Sequence, residues 1–299
     1  MNTLRSIAEV RRALEPFRGG ANGVPGAAAA LGPSADGAAP RAVGLVPTMG
    51  AFHAGHVALF RAARLESACV VASLFVNPAQ FGDPADLATY PRDEARDTRI
   101  ATEAGVDYLF IPSTEEIYPP GYATWIEMDG AARGLEGDFR PGHFRGVATI
   151  CLKLLTIVRP HLAFFGQKDA QQVAAIKQLV RDLDLELEIR VVPTVREVDG
   201  LAMSSRNVRL SPQERERALA IPRALDAGLA AQRAGADPIA AARSMLTGID
   251  TEYVAVADFD GHPTLVIAAR IGTTRLIDNV PLDRPGLQIA AQPEEVRYV

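Results

Sequence analysis

Two histidines three residues apart, His53 and His56, are the most chemically informative residues in a chain that has five histidines among 299 residues. They belong to the segment TMGAFHAGH, residues 48–56, which follows an apolar run and contains Gly50 and Gly55. A helix N-terminus offers unpaired N–H groups and the positive end of its dipole, so a strand-to-helix junction of this composition favours phosphate. Glycine also allows a ligand to approach the backbone closely. The segment therefore predicts a nucleotide-binding loop.

Two other interpretations of the histidine pair are weaker. His-x-x-His spacing occurs in zinc sites, but no cysteine, aspartate or glutamate lies near the pair in the sequence to complete a ligand set. A packed or capping role suits one histidine better than two with two neighbouring glycines. The sequence therefore predicts no metal site of its own here.

Short apolar runs alternate with amphipathic patterns over the first two thirds of the chain, and these elements must position the histidine loop. The predicted strands are residues 41–47, 69–76, 108–112, 161–165 and 187–193, and the predicted helices lie near residues 1–17, 56–66, 93–104, 143–158 and 169–182. Apolar strands separated by helices indicate an α/β fold with a doubly wound, Rossmann-like parallel sheet covered on both faces. Ligands of such sheets bind beyond the carboxyl ends of the strands, where the loop falls.

The pattern changes near residue 193. A helix start at Ser211-Pro212 with Glu214 at the third position, and a second helix after Asp237, precede predicted strands at residues 251–260, 263–272 and 274–280. The sequence thus predicts a larger domain, residues 1–192, and a smaller C-terminal α+β domain, residues 193–299. Residues 19–40, rich in glycine, alanine and proline, are predicted to be a disordered insertion.

Composition narrows the class of partner. The net charge, 31 − 36 = −5, argues against a nucleic-acid partner, which usually meets a basic surface. No apolar run approaches the roughly 20 residues that span a bilayer, and the N-terminus lacks the pattern of a signal peptide. Cys69 and Cys151 lie in apolar surroundings and suggest buried thiols in a reducing cytoplasm. A small-molecule substrate is expected.

A resemblance to known proteins rests on several motifs in order. TMGAFHAGH is similar to the HxGH signature of the nucleotidylyl-transferase superfamily, which class I aminoacyl-tRNA synthetases share. The further motifs are SLFVNPAQF (73–81), RPGHFRG (140–146), GQKD (166–169) and MSSRN (203–207). As a set they resemble the pantothenate synthetase family, ligases that join pantoate to β-alanine with ATP.

The resemblance implies a reaction in two steps. Pantoate carboxylate attacks the α-phosphorus of ATP to give pantoyl adenylate and pyrophosphate, and the amine of β-alanine then displaces AMP. No enzyme nucleophile is required, which agrees with the lack of a Ser-His-Asp or Cys-His signature. Catalysis then depends on positioning and on stabilisation of phosphate charge.

Site residues are implied by the same resemblance. Six of them are expected to act on the phosphates: His53, His56, Lys168, Ser204, Ser205 and Arg206. The implied ATP-binding residues are Met49, Gly50, Ala51, Phe52, His53, Ala54, Gly55, His56, Gly166, Gln167, Lys168, Asp169, Val195, Met203, Ser204, Ser205 and Arg206. The implied binding residues for pantoate and β-alanine are Asn77, Gln80, Arg140, His143 and Gln172.

Taken alone, some of these residues have plainer interpretations. Lys168 beside Asp169 could equally be a surface ion pair, and MSSRN could equally cap the helix at residue 212. The chain also departs from the family pattern at three positions, with Ala170 for the usual tyrosine, Phe52 for leucine and Ala54 for an acidic residue. These changes affect neighbouring contacts and leave the reacting groups in place.

The resemblance further implies Mg²⁺ as the counter-ion of ATP, a homodimer formed through the N-terminal domain, and a C-terminal domain that acts as a lid. Two alternatives remain open. One is another nucleotidylyl transferase, which adds the nucleotide to a phosphorylated cofactor precursor and consumes no β-alanine, and the other is a regulatory or binding protein that keeps the fold without chemistry. An aminoacyl-tRNA synthetase is disfavoured, because the chain is short and acidic and shows no anticodon-binding module.

Overall fold

A computed structural model describes residues 1–18, 42–82 and 84–283 of the chain. The predicted disordered insertion, residues 19–40, lies outside the described residues. The chain divides into two compact units, here called the first and second units. Of the described residues, the first unit contains those within Met1–Phe52, His56–Phe165 and Ala175–Val192, and the second contains those within His53–Gly55, Gly166–Ala174 and 193–283.

The first unit is built on a six-stranded sheet in the order β1-β4-β3-β2-β5-β6. Its strands are β1 (Asn2–Leu4), β2 (Val43–Thr48), β3 (Cys69–Leu74), β4 (Tyr108–Phe110), β5 (Leu162–Gly166) and β6 (Glu188–Val192). The pairs β1/β4, β4/β3, β3/β2 and β2/β5 are parallel, with Leu45 opposite both Val71 and Ala163. All five strands predicted for this region are confirmed, and β2, which leads into the histidine loop, is central.

Helices cover this sheet because its inner strands β2, β3 and β5 are mostly apolar and largely buried, whereas the edge strands β1 and β6 are more polar and more exposed. Between residues 1 and 182 the described helices are α1 (Ile7–Ala13), α2 (Glu15–Arg18), α3 (Ala54–Glu66), α4 (Pro84–Ala88), α5 (Glu94–Glu103), α6 (Thr114–Ile117), α7 (Glu136–Phe139), α8 (His143–Val158) and α9 (Ala170–Asp182). Between them and the sheet lies a core that includes Phe52, Phe60, Leu109 and Phe164, each no more than 1% exposed. The four predicted internal helices are confirmed.

The prediction of a single helix over residues 1–17 is wrong. Asn2–Leu4 form the edge strand β1, which pairs with β4. The helix begins only after Ser6, whose side chain accepts the Glu9 N–H while the Glu9 carboxylate accepts the Ser6 N–H. Because this capping box fixes the start of the helix after Ser6, the residues before it can adopt an extended conformation and pair with the sheet.

The second unit carries a three-stranded antiparallel sheet, β7 (Asp250–Phe259), β8 (His262–Ile271) and β9 (Thr274–Pro281). It is packed by α10 (Pro212–Ala218), α11 (Ala220–Arg233) and α12 (Pro238–Met245) around buried residues that include Ile221, Leu225, Leu265 and Ile267. The predicted strands are confirmed, and so is the helix start at Ser211, which forms a capping box with Glu214. The helix after Asp237 is also confirmed.

Both cysteines are free and buried, as the sequence suggested. Burial raises the pKa of the Cys69 and Cys151 thiols to about 12. Among the described residues, no helix has the length and apolar character needed to cross a membrane.

Candidate functional site

The loop after β2 has an unusual backbone. Gly50 and the next residue, Ala51, both have positive φ, +83° and +53°. Glycine adopts this left-handed conformation freely, but alanine does so at a cost of roughly 1–2 kcal/mol. The loop must therefore be held in place by contacts that offset this strain.

A buried carboxylate from α5 supplies those contacts within the first unit. Asp97 is 1% exposed, its Oδ2 accepts the Ala51 N–H at 2.7 Å, and its Oδ1 accepts the Phe52 N–H at 2.7 Å. Burial raises the pKa of Asp97, and the two N–H donors oppose that rise. A Cβ added at Gly50 would lie 2.9 Å from Asp97 Oδ2, so the carboxylate also requires glycine at this position.

The Phe52 ring of the histidine loop packs against the rings of His56 and Phe60. Phe52 is completely buried, and its ring lies 5.3 Å from the His56 ring and 5.1 Å from Phe60. His56 is the third residue of α3, which begins at Ala54, two residues earlier than the sequence predicted. Its half-buried imidazole thus lies on the first turn of a 13-residue helix, the positive end of the helix dipole.

The first three residues of the HxGH motif, His53–Gly55, belong to the second unit. His53 Nδ1 accepts the Gly55 N–H at 3.1 Å. A Cβ at Gly55 would lie 2.9 Å from His53 Cε1 and 3.9 Å from Met203 Cγ. The motif therefore needs glycine for the histidine to fold back on the backbone, and Met203 of the MSSRN segment lies close to this turn.

Asn77 and Gln80 share one hydrogen-bond network in the first unit. Asn77 is 1% exposed, and its Nδ2 donates to Gln80 Oε1 at 2.9 Å and to the Gly146 carbonyl at 3.1 Å. Asn77 Oδ1 accepts from the Tyr118 hydroxyl at 2.8 Å, and Gln80 Nε2 donates to Met49 Sδ at 3.1 Å. The Asn77 amide is thus engaged on both sides, while Gln80 lies beside the first residue of the histidine loop.

Arg140, the C-cap residue of α7, and His143, the first residue of α8, reinforce the same network. Arg140 Nη1 donates to His143 Nε2 at 3.1 Å, because a guanidinium can only donate. His143 is therefore in the Nδ1–H tautomer, and that N–H donates to the Gln80 main-chain carbonyl at 3.0 Å. His143 is 6% exposed, so the structure places it under the turn that presents Gln80.

The GQKD segment forms a 3-10 turn, Gln167–Asp169, between β5 and α9 in the second unit. Lys168 Nζ lies 3.9 Å from Asp169 Oδ1, a loose ion pair with the carboxylate 47% exposed. Asn279 of β9 fixes the turn by donating its side-chain amide to the carbonyls of Gln167, at 3.0 Å, and Lys168, at 2.8 Å. The turn thereby presents a cation and an accessible carboxylate on a rigid backbone.

Residues 195–203 form a hairpin that leads into the Ser-Ser-Arg segment of the second unit. Met203 N–H donates to the Val195 carbonyl at 2.9 Å. Arg196 forms a bidentate pair with Asp278 at 2.6 and 3.1 Å, and both side chains are 2% exposed. Beyond the hairpin, Ser204 Oγ accepts the Arg206 N–H at 3.2 Å. Ser204, Ser205 and Arg206 are half-buried in a turn that precedes the helix cap at Ser211 and is separate from it.

Three further positions singled out by the sequence lie at the end of β5 or on the first turn of α9. Gln172 is half-buried on the first turn of α9 in the second unit. Ala170, at the family's tyrosine position, is the buried first residue of that helix. Gly166 ends β5, and a Cβ there would meet nothing within 4 Å.

Sequence reasoning missed Asp97, Tyr118 and Asn279, which hold the loop, the Asn77 amide and the GQKD turn. Asp97 had a signal: it lies three and four residues before Ile100 and Ala101, on the buried face of α5, where a carboxylate is costly unless it is hydrogen-bonded. Asn279 and Tyr118 had no signal, because each acts on residues distant in sequence.

A Rossmann-like parallel sheet whose central strand leads into an HxGH loop at a helix N-terminus defines a nucleotide-binding class of α/β proteins. Comparison with known proteins specifies the family. The family model described as pantoate-beta-alanine ligase matches residues 27–281. A pantothenate synthetase of Moorella thermoacetica is 49% identical over 259 residues, covering 81% of this chain and 91% of the relative. Pantothenate synthetase 1 of Bradyrhizobium diazoefficiens is 45% identical over 297 residues, covering 94% of this chain and 98% of the relative.

Solved structures agree with these relatives. A pantothenate synthetase of Thermus thermophilus superimposes with a TM-score of 0.83 and 40% identity, covering 94% of this chain and 99% of that one. A pantoate-beta-alanine ligase of Francisella tularensis, complexed with beta-gamma ATP and beta-alanine, gives a TM-score of 0.77 and 34% identity, covering 95% of this chain and 99% of that one. This chain belongs to the pantoate–β-alanine ligase family.

Proposed function

We propose that this chain condenses pantoate with β-alanine to form pantothenate, using ATP and passing through pantoyl adenylate, with release of pyrophosphate and then AMP. The observation that carries the proposal is the pantoate-beta-alanine ligase match over residues 27–281. The solved relative from Francisella tularensis, with its beta-gamma ATP and beta-alanine, supports the same two substrates for this chain.

The HxGH loop is proposed to bind the phosphates of ATP. The N-terminal N–H groups of α3 and its dipole stabilise negative charge, and His56 adds a donor on the first turn. We assign His56 to charge stabilisation, since pyrophosphate is a good leaving group and needs little proton donation. His53 is assigned to the same phosphates from the second unit. Met49 to Gly55 supply the surrounding backbone.

The second-unit turns are proposed to complete the ATP contacts. Lys168 contributes a positive charge, and Asp169 contributes a carboxylate that can accept from ribose hydroxyls. Gly166 and Gln167 are proposed to contact the nucleotide through their backbone. Ser204 and Ser205 donate hydrogen bonds to phosphate oxygens, and Arg206 can bind two of them at once. Val195 and Met203 are assigned to the same nucleotide contacts.

Pantoate is proposed to bind Gln80 and Gln172, because an amide can donate to a carboxylate and accept from a hydroxyl. Asn77, Arg140 and His143 are proposed to serve this site mainly by holding Gln80, since their polar atoms engage protein partners around it. Removal of His143 should then raise the pantoate KM with a smaller effect on the ATP KM.

Mg²⁺ is proposed to accompany ATP. The described residues contain no group of three or more His, Cys, Asp or Glu side chains that could enclose a metal ion. Phosphate oxygens and water are therefore the proposed ligands, which fits the tendency of Mg²⁺ to keep several waters. The ion would neutralise triphosphate charge.

We also propose a cytoplasmic location and a lid role for residues 193–299. The first proposal to test is a homodimer formed through residues 1–192. Sedimentation at micromolar concentration tests the first, since a monomeric mass contradicts it. A distance between labels on the two units that stays unchanged on saturation with ATP and pantoate contradicts the lid. These proposals come from family resemblance.

The deciding experiment measures pyrophosphate and AMP release from ATP and pantoate, with and without β-alanine, in the wild type, His56→Ala and His262→Ala. We expect sustained AMP release that requires β-alanine. His56→Ala should lower it about 10²–10³-fold, the usual cost of one charge-stabilising donor. His262, an exposed residue of β8 paired with Asp283 at 2.6 Å, is the matched control and should leave the rate unchanged.

The alternatives give different results in the same assay. Pyrophosphate release that ignores β-alanine indicates a nucleotidylyl transferase that stops at the adenylate. ATP binding without turnover indicates a binding protein. Either result rejects the ligase proposal.

A further inference from the structure

The backbone at Gly50 and Ala51 is held by one side chain from a different element. Asp97 lies 46 residues beyond Ala51 in the sequence, and its two carboxylate oxygens accept the consecutive N–H groups of Ala51 and Phe52, each at 2.7 Å. The carboxylate is 1% exposed, so water does not compete for these bonds. The arrangement is bidentate and buried, which is the strong form of a charge-assisted hydrogen bond.

The hydrogen bonds explain how a strained loop persists. Ala51 has φ of +53°, a conformation that residues other than glycine rarely adopt. The Phe52 side chain is completely buried, and the carboxylate gives the Phe52 N–H a partner in that buried setting. Loss of the carboxylate would leave that N–H buried and allow Ala51 to relax towards negative φ.

Arg96 and Asp93 are the charged neighbours that act on Asp97 within the described part of the chain. Arg96 Nη1 approaches Asp97 Oδ1 at 3.8 Å, and Asp93, the N-cap of α5, is the neighbouring acid. Arg96 is 35% exposed, so its contact with the carboxylate is long and screened by water. The two backbone N–H groups are thus the closest partners of Asp97 and fix its orientation.

We propose that Asp97 is the positioning residue of the nucleotide-binding loop: its carboxylate holds the Gly50–Ala51 backbone in the left-handed conformation that sets the start of α3 and His56 against ATP. This inference rests on the proposed function. Asp97 acts through the backbone and does not touch substrate. A loop displaced by about 1 Å is expected to lower the rate about a hundredfold, because the reacting groups lose their alignment.

The test compares Asp97→Asn with the wild type. Asparagine has nearly the same shape, but its one oxygen can accept only one N–H firmly, and its NH₂ group opposes the other. We expect kcat/KM for ATP to fall about 10–100-fold and the ATP dissociation constant to rise about tenfold. In a two-step reaction, kcat/KM for β-alanine depends only on the steps that follow release of pyrophosphate. In Asp97→Asn it should therefore stay within about twofold of the wild-type value.

Asp107→Asn is the matched control in the same unit. Asp107, which lies between α5 and β4, accepts the Val70 N–H with its Oδ2 at 2.7 Å and pairs with Arg64 at 2.6 Å. Like Asp97, it therefore accepts a backbone N–H from a residue distant in sequence. It lies away from the histidine loop in sequence. The control should lose thermal stability while keeping kcat/KM for ATP within about twofold.

Two results would overturn the proposal: an ATP dissociation constant and kcat/KM for ATP in Asp97→Asn within twofold of the wild type, or an equal loss in Asp107→Asn. Hydrogen exchange in the wild type adds a test that needs no variant. The Ala51 and Phe52 amides should exchange as slowly as buried helical amides, and fast exchange contradicts the clamp. Failure of the wild type to make pantothenate would reject the proposed function alone, since the ATP dissociation constants still test Asp97.

Discussion

Asn279 and Gln167 are joined by two hydrogen bonds, one from each side-chain amide. Gln167 Nε2 donates to Asn279 Oδ1 at 3.2 Å, and Asn279 Nδ2 donates to the Gln167 main-chain carbonyl at 3.0 Å. The same Nδ2 also donates to the Lys168 carbonyl at 2.8 Å. A single amide on the last strand of the small sheet therefore fixes the backbone that carries the proposed phosphate-binding lysine.

Asn279→Asp should disrupt this turn. A carboxylate in place of the amide would face two carbonyl oxygens, which repel it and lose their donor. We expect kcat/KM for ATP to fall about 10–100-fold, since Lys168 loses its fixed backbone. Arg270→Ala serves as the control, because it removes a half-exposed guanidinium from Glu252 on the neighbouring strand while Glu252 keeps its pair with Arg275. This variant should keep its ATP kinetics.

Asp278→Ala should destabilise the second unit strongly. It leaves the Arg196 guanidinium buried at 2% exposure without its carboxylate, and breaking such a buried pair costs about 3–5 kcal/mol. Chemical denaturation followed by circular dichroism would measure the change. Asp129→Ala, in the exposed pair with Arg133, should cost less than about 1 kcal/mol. Equal losses in the two variants would contradict this account.

Gly146→Ala should damage the pantoate side of the site. A Cβ at this position would lie 2.5 Å from the Ala79 carbonyl carbon and 2.6 Å from the Gln80 nitrogen, so α8 and the turn that carries Gln80 must separate. Overpacking of this kind costs about 1–3 kcal/mol, and we expect the KM for pantoate to rise. At Gly82, whose Cβ would meet only the Pro141 carbonyl at 3.8 Å, alanine should be tolerated. Unchanged pantoate kinetics in Gly146→Ala would show that the close approach is not needed.

His161 should make stability depend on pH. Its Nδ1 accepts the Val43 N–H at 3.0 Å, which requires the neutral ring, and burial lowers its pKa from the ordinary 6.5. Since the folded pKa lies below the unfolded one, the stabilisation is present above about pH 6.5 and is lost as the pH falls through the folded pKa. His161→Asn retains an acceptor without a proton to gain. Its free energy of unfolding should therefore fall less than that of the wild type between pH 7.5 and 5.5; parallel losses would refute the assignment.

Much of the fold followed from the sequence because its elements depend on local patterns. Apolar runs predicted β2 to β6, and the Ser211 capping box was readable from three residue types at fixed spacing. The strand at Asn2–Leu4 was missed because its pairing with β4 is made about a hundred residues away, and its three residues show no alternation.

The site was only partly predictable, because its long-range contacts, like the pairing of β1 with β4, leave no local pattern in the sequence. Motifs located the residues proposed to touch ATP and pantoate, since their types follow the chemistry of phosphates and carboxylates. The residues that hold them, Asp97, Tyr118 and Asn279, reach across the fold, so no short pattern marks them. Asp97 alone was detectable in principle, as a charge on the buried face of its helix.

The two buried thiols make the protein convenient for labelling. With pKa values of about 12, Cys69 and Cys151 carry almost no thiolate at neutral pH, so maleimide reagents should leave the native chain unmarked. A cysteine introduced at Leu65, 88% exposed in the first unit, or at Val198, 93% exposed in the second, would then be the reactive thiol. Fluorophores or spin labels could be attached at both positions without removing a native cysteine, and the unaltered protein would serve as the blank.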